Sequence, residues 1–291
     1  MDDLIICEHS HEFRCGCGHV PLRHDLYSTI SHGFGRKCNQ IFLGNPLIYN
    51  SEDIVTFSKK DKQRSLEYCL KTDTTFYVHC PLNTNLADPT KRLGRNIVSK
   101  ELQVIKGLPA ACVLHIGKRA KVNGTLENVG QEINSLIADG SLTHSEFSRI
   151  PYNLLLEIAA GQSTELGVTY EEIRHLYESI DTTKVGLCVD TQHAFASGMC
   201  GFQTHEEIVK LFDICESITT RGISMIHLND SKKAFGSRVD RHAPLCKGFI
   251  WGNDDQGLKS LVELSYDYSL DLITETNDPF GDYDIVQKYT A

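Results

Sequence analysis

Short apolar runs alternate with longer amphipathic segments along most of the chain. The runs are rich in β-branched and aromatic residues, and Val185–Val189 contains only apolar residues and glycine, which is typical of a strand buried on both faces. The pattern predicts eight strands, at Cys15–Val20, Gln40–Leu43, Thr75–His79, Ala111–His115, Asn153–Glu157, Val185–Asp190, Ile223–His227 and Leu270–Glu275. It predicts helices at Lys62–Leu70, Leu93–Lys106, Leu126–Ala138, Thr169–Ile180, His205–Ile218 and Leu258–Leu264.

The order of these elements predicts the fold class. Strands that alternate with helices form parallel sheets with right-handed crossovers, and eight such units in 291 residues fit an α/β fold of the (β/α)8 TIM barrel type. We expect residues 1–291 to form a single domain, with residues 1–14 as an N-terminal extension. The alternative is a doubly wound open sheet. A glycine-rich phosphate loop after an early strand would favour it, but Gly16, Gly18 and Gly33 lack that spacing.

The amino-acid composition excludes several classes of protein. The chain is 41% apolar and 23% charged, which is ordinary for a globular protein and excludes a coiled coil or a wholly disordered chain. No apolar run approaches the ~18 residues that a membrane span needs, so we expect no membrane partner. The N-terminal segment lacks a secretory signal, and the eleven cysteines follow no regular framework, so we expect an intracellular, reducing compartment. Cytoplasm, nucleus and virion stay open, and a monomer is expected.

Six consecutive predicted strands end in a residue that binds metal ions. These residues are His79, His115, Glu157, Asp190, His227 and Glu275. In a TIM barrel the carboxyl ends of all strands meet at one face, where the active site lies. Imidazole and carboxylate groups are ligands that suit zinc and related divalent ions. The strand ends therefore predict a metal site at the C-terminal face of the barrel.

Three further residues extend this set to nine candidate ligands. His193 follows the sixth strand, and Asp240 and His242 follow the seventh. One zinc ion takes three or four protein ligands, so nine ligands imply two or three ions. Without cations, the four carboxylates would repel one another in a partly desolvated pocket. A carboxylate that bridges two ions fits two-metal hydrolysis of phosphoesters.

Several motifs around these ligands resemble the endonuclease IV family of apurinic/apyrimidinic endonucleases, which are xylose isomerase-like TIM barrels. The matching segments are Leu187–Gly198, His227–Lys232, Gly236–His242, Glu157 with Ala160–Gln162, and Val78–His79 with Asn85–Ala87. The resemblance runs from about Cys15 to Thr276 and is most specific in the second half of the chain.

The resemblance implies three Zn²⁺ ions per chain. His79, His115 and Glu157 would bind the first, and His193, Asp240 and His242 the third. The ligands of the second would be Glu157 as a bridge, Asp190, His227 and Glu275. A hydroxide between the first two ions would be the nucleophile, which makes Glu157 and Glu275 the expected catalytic residues.

The activity that the resemblance implies is DNA repair. The family hydrolyses the phosphodiester 5′ to an abasic site in double-stranded DNA, leaving a 3′-hydroxyl and a 5′-deoxyribose phosphate, and it also clears blocked 3′ ends. The formal charge of −9 argues against a DNA ligand, but three zinc ions would bring it to about −3 and make the site attractive to phosphate. The expected DNA contacts are Asn85, Lys118, Lys232, Arg238, Arg241 and Tyr49.

Two positions depart from the family pattern. Leu82 stands where the family usually has a tyrosine shortly after the first histidine ligand. The loop Gly44–Tyr49 lacks the long polar side chains that the family inserts into the duplex. Leu47 or Tyr49 would then act as an apolar wedge at the lesion, and plain packing is the alternative for Tyr49.

Two other functions stay open on the sequence alone. A single-metal sugar isomerase or epimerase on the same barrel would also use Glu157, Asp190, His227 and Glu275, but it would not need His79, His115 or the Asp240–His242 element. A catalytically inactive DNA-binding relative would have no reason to keep every ligand. The N-terminal group of Cys7, His9, His11, Cys15, Cys17 and His19 offers a further metal site or a redox pair.

Overall fold

The structure is a computed structural model that describes residues 14–18, 20–32, 36–47, 50–88, 90, 92–119, 124–147 and 149–290. Tyr49 lies outside the described residues, as does most of the N-terminal cysteine and histidine group.

Eight parallel strands form a closed barrel, which confirms the predicted fold class. The strands are β1 (Cys15–Cys17), β2 (Cys38–Ile41), β3 (Thr75–His79), β4 (Ala110–His115), β5 (Leu154–Glu157), β6 (Val185–Asp190), β7 (Ile223–His227) and β8 (Asp271–Thr274). Each strand pairs with its neighbours in sequence, and β1 closes the ring by pairing with β8, with Cys15 opposite Leu272. All carboxyl ends therefore lie on one face.

Helices surround the barrel. They are α1 (Leu26–Ser31), α2 (Lys59–Thr72), α3 (Leu93–Ile105), α4 (Leu126–Ala138), α5 (Tyr170–Glu178), α6 (Thr191–Ser197), α7 (His205–Ile218), α8 (Gln256–Asp267) and α9 (Pro279–Gln287). Thr125, Thr169 and Thr204 each accept a backbone N–H in the first turn of the following helix, which fixes where α4, α5 and α7 begin. Among the described residues, no helix is long and apolar enough to cross a membrane.

The core has two layers that follow the alternation of side chains along each strand. Tyr77, Val113 and Met225 point into the barrel, whereas Leu114 and Leu261 pack between the strands and the helices. Several strands are consequently buried on both faces, as β6 is at every position. This double burial explains why the strands read as apolar runs rather than as alternating patterns.

The predicted boundaries shift at several elements. Strand β1 ends at Cys17 rather than Val20, and β2 covers Cys38–Ile41 rather than Gln40–Leu43. Strand β8 ends at Thr274, so Glu275 lies one residue beyond the strand. Helices α1 and α6 and an antiparallel hairpin of His144–Phe147 with Ile150–Tyr152 escaped prediction because they carry too few residues for a periodic pattern. Helix α9 escaped prediction because its apolar residues do not gather on one face.

The amino-terminal end of the barrel is closed by side chains. Ile150 and Tyr152 of the hairpin join the interior core. Arg14 lies directly before β1, where its Nε atom donates to Asp271 Oδ1 at 2.7 Å and its guanidinium also reaches Thr75. This buried ion pair joins the two strands that close the ring. The opposite, carboxyl-end face is the one where TIM barrels place their active sites.

Candidate metal centre

The carboxyl ends of the strands bring the nine candidate ligands together. Five are the last residues of their strands: His79, His115, Glu157, Asp190 and His227. Glu275 follows β8, and His193 lies in α6, which begins directly after β6. Asp240 and His242 lie in the long connection after β7, where residues 242–243 pair with residues 230–231.

A first group consists of His79, His115 and Glu157. The Nε2 atoms of the two histidines lie 3.3 Å and 3.0 Å from Glu157 Oε2. Potential ligand atoms of all three residues lie within 4.8 Å of one another. A set of two imidazoles and one carboxylate matches the ligand types of zinc.

A second group shares Glu157 with the first. Glu157, Asp190, His227 and Glu275 also offer ligand atoms within 4.8 Å of one another. His227 Nδ1 lies 2.8 Å from Glu157 Oε1 and 3.3 Å from Glu275 Oε2. Glu157 therefore presents one oxygen to each group, which is the geometry that a bridging carboxylate requires.

A third group lies toward solvent. Asp190, His193 and His242 lie within the same 4.8 Å limit, and Asp240 Oδ1 is 3.5 Å from His193 Nε2 and 3.3 Å from His242 Nε2. The side chain of Asp240 is 32% exposed, whereas that of Asp190 is completely buried. The third group is therefore the one that a ligand in solution meets first.

Three ligand atoms in this centre are buried without a hydrogen bond among the described residues. They are Glu157 Oε2, His193 Nε2 and His242 Nε2, one or more from each group. Buried polar atoms are normally satisfied, and unsatisfied ones indicate a missing ion or water. Because all three atoms belong to metal-binding side chains, the residues present fit divalent cations.

The electrostatics of the centre demand positive charge. Burial opposes charge on His242, but Asp190 and Asp240 raise its pKa to about 9. Burial would raise the pKa of Glu157, yet His115 and His227 outweigh it and hold that pKa well below its ordinary value. The carboxylate of Glu157 is thus ionised, and either protonated histidines or metal ions must balance it.

The sequence matches a family of known fold. The family model described as xylose isomerase-like TIM barrel covers residues 33–262, more than half of the chain. The chain belongs to the xylose isomerase-like TIM barrel family. Within it, the chain is similar to a protein of Acanthamoeba polyphaga mimivirus named endonuclease 4, with 29% identity over 278 residues that cover 89% of this chain and 84% of the relative. This relative confirms the resemblance indicated by the motifs.

Solved structures of this family share the fold. Endonuclease IV from Thermus thermophilus superposes with a TM-score of 0.76 at 22% identity and covers 95% of this chain and 98% of its own. A D-tagatose 3-epimerase-like protein superposes with a TM-score of 0.65 at 17% identity and covers 95% and 97%. Since the xylose isomerase-like barrel accommodates both, the fold alone does not select a function.

Two amides that sequence reasoning missed orient the second group. Gln40 of β2 donates from Nε2 to Glu275 Oε1 at 2.6 Å, and its Oε1 lies 2.8 Å from His227 Nε2. Asn229 donates to Asp190 Oδ2 at 2.8 Å and accepts the Glu275 N–H at 2.8 Å. Such partners fix the ring and carboxylate orientations of metal ligands. Uncharged amides carry no distinctive sequence signal, although both lie in or just after predicted strands.

Backbone carbonyls orient two histidines of the centre. His79 Nδ1 lies 2.6 Å from the carbonyl oxygen of Cys80, and His193 Nδ1 lies 2.9 Å from that of Ile158. A ring nitrogen that donates to a carbonyl leaves Nε2 unprotonated and free to bind a metal ion. In both residues that Nε2 atom faces a carboxylate of the centre.

The residues predicted to contact DNA differ in their exposure and in their bonds to the rest of the protein. Lys232, Arg238 and Arg241 are exposed in the connection after β7. Lys118 pairs with Glu165 at 3.4 Å. Asn85 bonds through its side chain to both backbone groups of Lys118, so it holds the loop after β4 in place. Its amide is thereby occupied, and a DNA contact would have to compete with these bonds.

The two departures from the family pattern, Leu82 and the loop after β2, lie next to each other. The Leu82 N–H donates to the carbonyl of Pro46 at 2.9 Å, which joins the loop after β3 to the loop after β2. Leu47 and Leu82 are 52% and 41% exposed. Exposed leucines at the rim agree with an apolar wedge, and Tyr49 lies outside the described residues.

Proposed function

We propose that this protein is a zinc-dependent DNA repair endonuclease of the endonuclease IV type. The observation that carries the proposal is the convergence of nine imidazole and carboxylate side chains, with Glu157 shared between two groups. The curated relatives named endonuclease 4 support the same class of hydrolase. The specific reaction is hydrolysis of the phosphodiester 5′ to an abasic site, leaving a 3′-hydroxyl and a 5′-deoxyribose phosphate.

The ligand assignment follows the three groups. His79, His115 and Glu157 would hold the first Zn²⁺, and His193, Asp240 and His242 the third. The second would be held by Glu157, Asp190, His227 and Glu275. When bound, such ions activate water at neutral pH and neutralise charge on a phosphodiester. Glu157 joins the first two positions, and Glu275 with Gln40 fixes the outer side of the second.

Other residues of the chain bind and position the substrate. Lys232, Arg238 and Arg241 would contact phosphates near the lesion, which would orient the backbone without reading base sequence. Leu47 and Leu82 would enter the duplex where a base is missing, since an apolar side chain there replaces lost stacking. We further propose that the protein acts as a single-domain monomer in an intracellular, reducing compartment and also removes blocked 3′ ends.

The competing function is a single-metal sugar isomerase or epimerase. The likeness to the D-tagatose 3-epimerase-like protein favours it only at the level of the fold. A single ion in the second group would leave His115 and His242 without an ion to bind. The buried Nε2 atom of His242 has no hydrogen bond among the described residues, so it would then have no partner at all. The first and third groups therefore favour the endonuclease.

The test is incision of a duplex oligonucleotide that carries one tetrahydrofuran abasic analogue, without added magnesium. The analogue cannot undergo β-elimination, so a lyase cannot imitate hydrolysis. A cut on the 5′ side, with an upstream fragment that a DNA polymerase extends without further treatment, is expected. No incision by fully metallated protein, together with turnover of a ketohexose, would replace this proposal with the epimerase.

A further inference from the structure

A second group of metal-binding side chains lies on the outer side of the barrel wall. We call Cys80, Glu101 and Cys112 the Cys80 cluster. Cys80 follows β3, Cys112 lies in β4, and Glu101 lies on the buried face of α3. Their sulfur and oxygen atoms lie within 4.8 Å of one another. The cluster lies in the layer between strands and helices, separated from the nine ligands by the barrel wall.

Glu101 is the anomalous member of the Cys80 cluster. Its side chain is completely buried, and neither carboxylate oxygen has a hydrogen-bond partner among the described residues. The surrounding side chains are apolar, including Ile97, Val98 and Leu102 of the same helix. A buried carboxyl group without a hydrogen-bond or ion-pair partner destabilises the folded protein. Glu101 is therefore expected to bind a partner that the chain itself does not supply.

The ligand types indicate what binds. Thiolate ligands select zinc, copper(I) or iron–sulfur clusters, and a carboxylate ligand shifts the preference from copper(I) toward zinc. We propose that Cys80, Glu101 and Cys112 bind a structural Zn²⁺ ion that is separate from the nine-residue centre. The three side chains supply three ligands of a tetrahedral site, and the proposal assigns a buried water as the fourth.

A cation would stabilise the anionic forms of all three side chains of the Cys80 cluster. The Glu101 carboxylate is completely buried, and an anion in an apolar layer is strongly unfavourable unless a cation lies beside it. Two thiolates and one carboxylate compensate a divalent ion and leave one negative charge in the layer. Both cysteines are buried free thiols, and a bound metal ion would stabilise their thiolate forms.

A zinc ion in the Cys80 cluster would also hold part of the proposed active-site face in position. The carbonyl oxygen of Cys80 is the group that orients the ring of His79. A zinc ion bound by Cys80 and Glu101 would tie the end of β3 to α3 at this point. The inference concerns a different site from the proposed function, so either can fail without the other.

Cobalt substitution tests the proposal. Protein prepared with Co²⁺ in place of zinc is expected to show the near-ultraviolet charge-transfer band of a thiolate–cobalt bond, because none of the nine ligands of the main centre is a cysteine. Cys112→Ser is expected to lose this band and one cobalt per chain. Glu101→Gln is expected to lose one cobalt per chain as well, since it removes a ligand while keeping the size of the side chain.

Cys188→Ser is the matched control, because Cys188 is another buried thiol and lies beside Glu157 and His227. It is expected to keep the band and the cobalt content of the wild type. Absence of the band in cobalt-loaded wild-type protein would overturn the proposal even if the variants fail to fold. So would loss of the band in Cys188→Ser alone, or a Cys80–Cys112 disulfide found by counting thiols in the denatured, unreduced protein.

Discussion

Glu157 Oε2 lies 3.0 Å from His115 Nε2, but the two atoms form no hydrogen bond. An ionised carboxylate oxygen so close to an imidazole nitrogen, with no proton well placed between them, has the arrangement of two ligands that face a common cation. The other oxygen of Glu157 accepts from His227 at 2.8 Å. The carboxylate therefore joins two groups of the centre, and this geometry supports the proposed role of Glu157 as a bridge.

Removal of Glu275 tests the second metal position. Glu275→Ala deletes a carboxylate that lies 3.3 Å from His227 and is held by Gln40. We expect loss of about one zinc ion per chain and a fall in the incision rate of several orders of magnitude, because the ion that neutralises the reacting phosphodiester would be poorly held. Zinc content and single-turnover incision measure both effects. The control is Glu263→Ala, an exposed carboxylate on α8, and wild-type turnover by Glu275→Ala would contradict the assignment.

Lys232 tests the DNA-binding surface. Lys232→Ala removes one exposed positive charge from the connection after β7. We expect weaker binding to a duplex with an abasic analogue, and a plot of log affinity against log salt that is shallower by about 0.9, which corresponds to one phosphate contact. Lys259→Ala on α8 is the control and is expected to leave the slope unchanged. An unchanged slope in Lys232→Ala would exclude a phosphate contact there.

Substitution of Asp230 tests which interactions stabilise the connection after β7. Its buried carboxylate accepts backbone N–H groups of Ser231, Gly248 and Ile250 at 2.7, 3.0 and 2.8 Å. Asp230→Ala leaves these donors without their partner, which costs about 3 kcal/mol of unfolding free energy. We expect the loss in urea unfolding at constant zinc concentration, with Asp267→Ala at an exposed position as the control. A loss below about 1 kcal/mol would mean that water or the backbone replaces the carboxylate.

Asp282 gives a pH dependence of stability. Burial raises the pKa of Asp282 to about 6, although Thr276 and the Leu245 N–H donate to it. The folded state therefore binds a proton more tightly than the unfolded chain, and this residue lowers the stability as pH rises from about 4 to about 6. We expect Asp282→Asn to gain stability relative to the wild type at pH 7 more than at pH 4, as measured by urea unfolding.

The control for this titration is Asp284→Asn, an exposed carboxylate on the same helix. Its difference from the wild type is expected to be the same at both pH values. A constant difference for Asp282→Asn as well would show that folding does not shift the pKa of Asp282.

The barrel and the positions of its ligands were predictable because both depend on long-range periodicity. Most strands are buried on both faces, so they read as apolar runs, and the candidate ligands stand at the ends of such runs. Five of the nine ligands end an observed strand. Glu275 lies one residue beyond the end of its strand, because β8 ends at Thr274.

The surroundings of Gln40 and Glu101 could not be predicted from sequence. Gln40 is an ordinary amide within a strand, and only the closure of the barrel brings it to His227 and Glu275. Glu101 reads as one polar residue on an amphipathic helix, and only the packing of α3 on β4 reveals that it is buried beside two cysteines. Contacts between distant residues leave no local pattern, whereas strand ends do.

The most direct test of the central claim is the number of zinc ions within the nine-residue centre. Crystals of the zinc-loaded protein, with diffraction recorded on both sides of the zinc absorption edge, would locate each ion independently of activity. Three anomalous peaks are expected, one in each group, with the carboxylate of Glu157 between two of them. A single peak among Glu157, Asp190, His227 and Glu275, with His115 and His242 unbound, would contradict this claim and identify a one-metal isomerase.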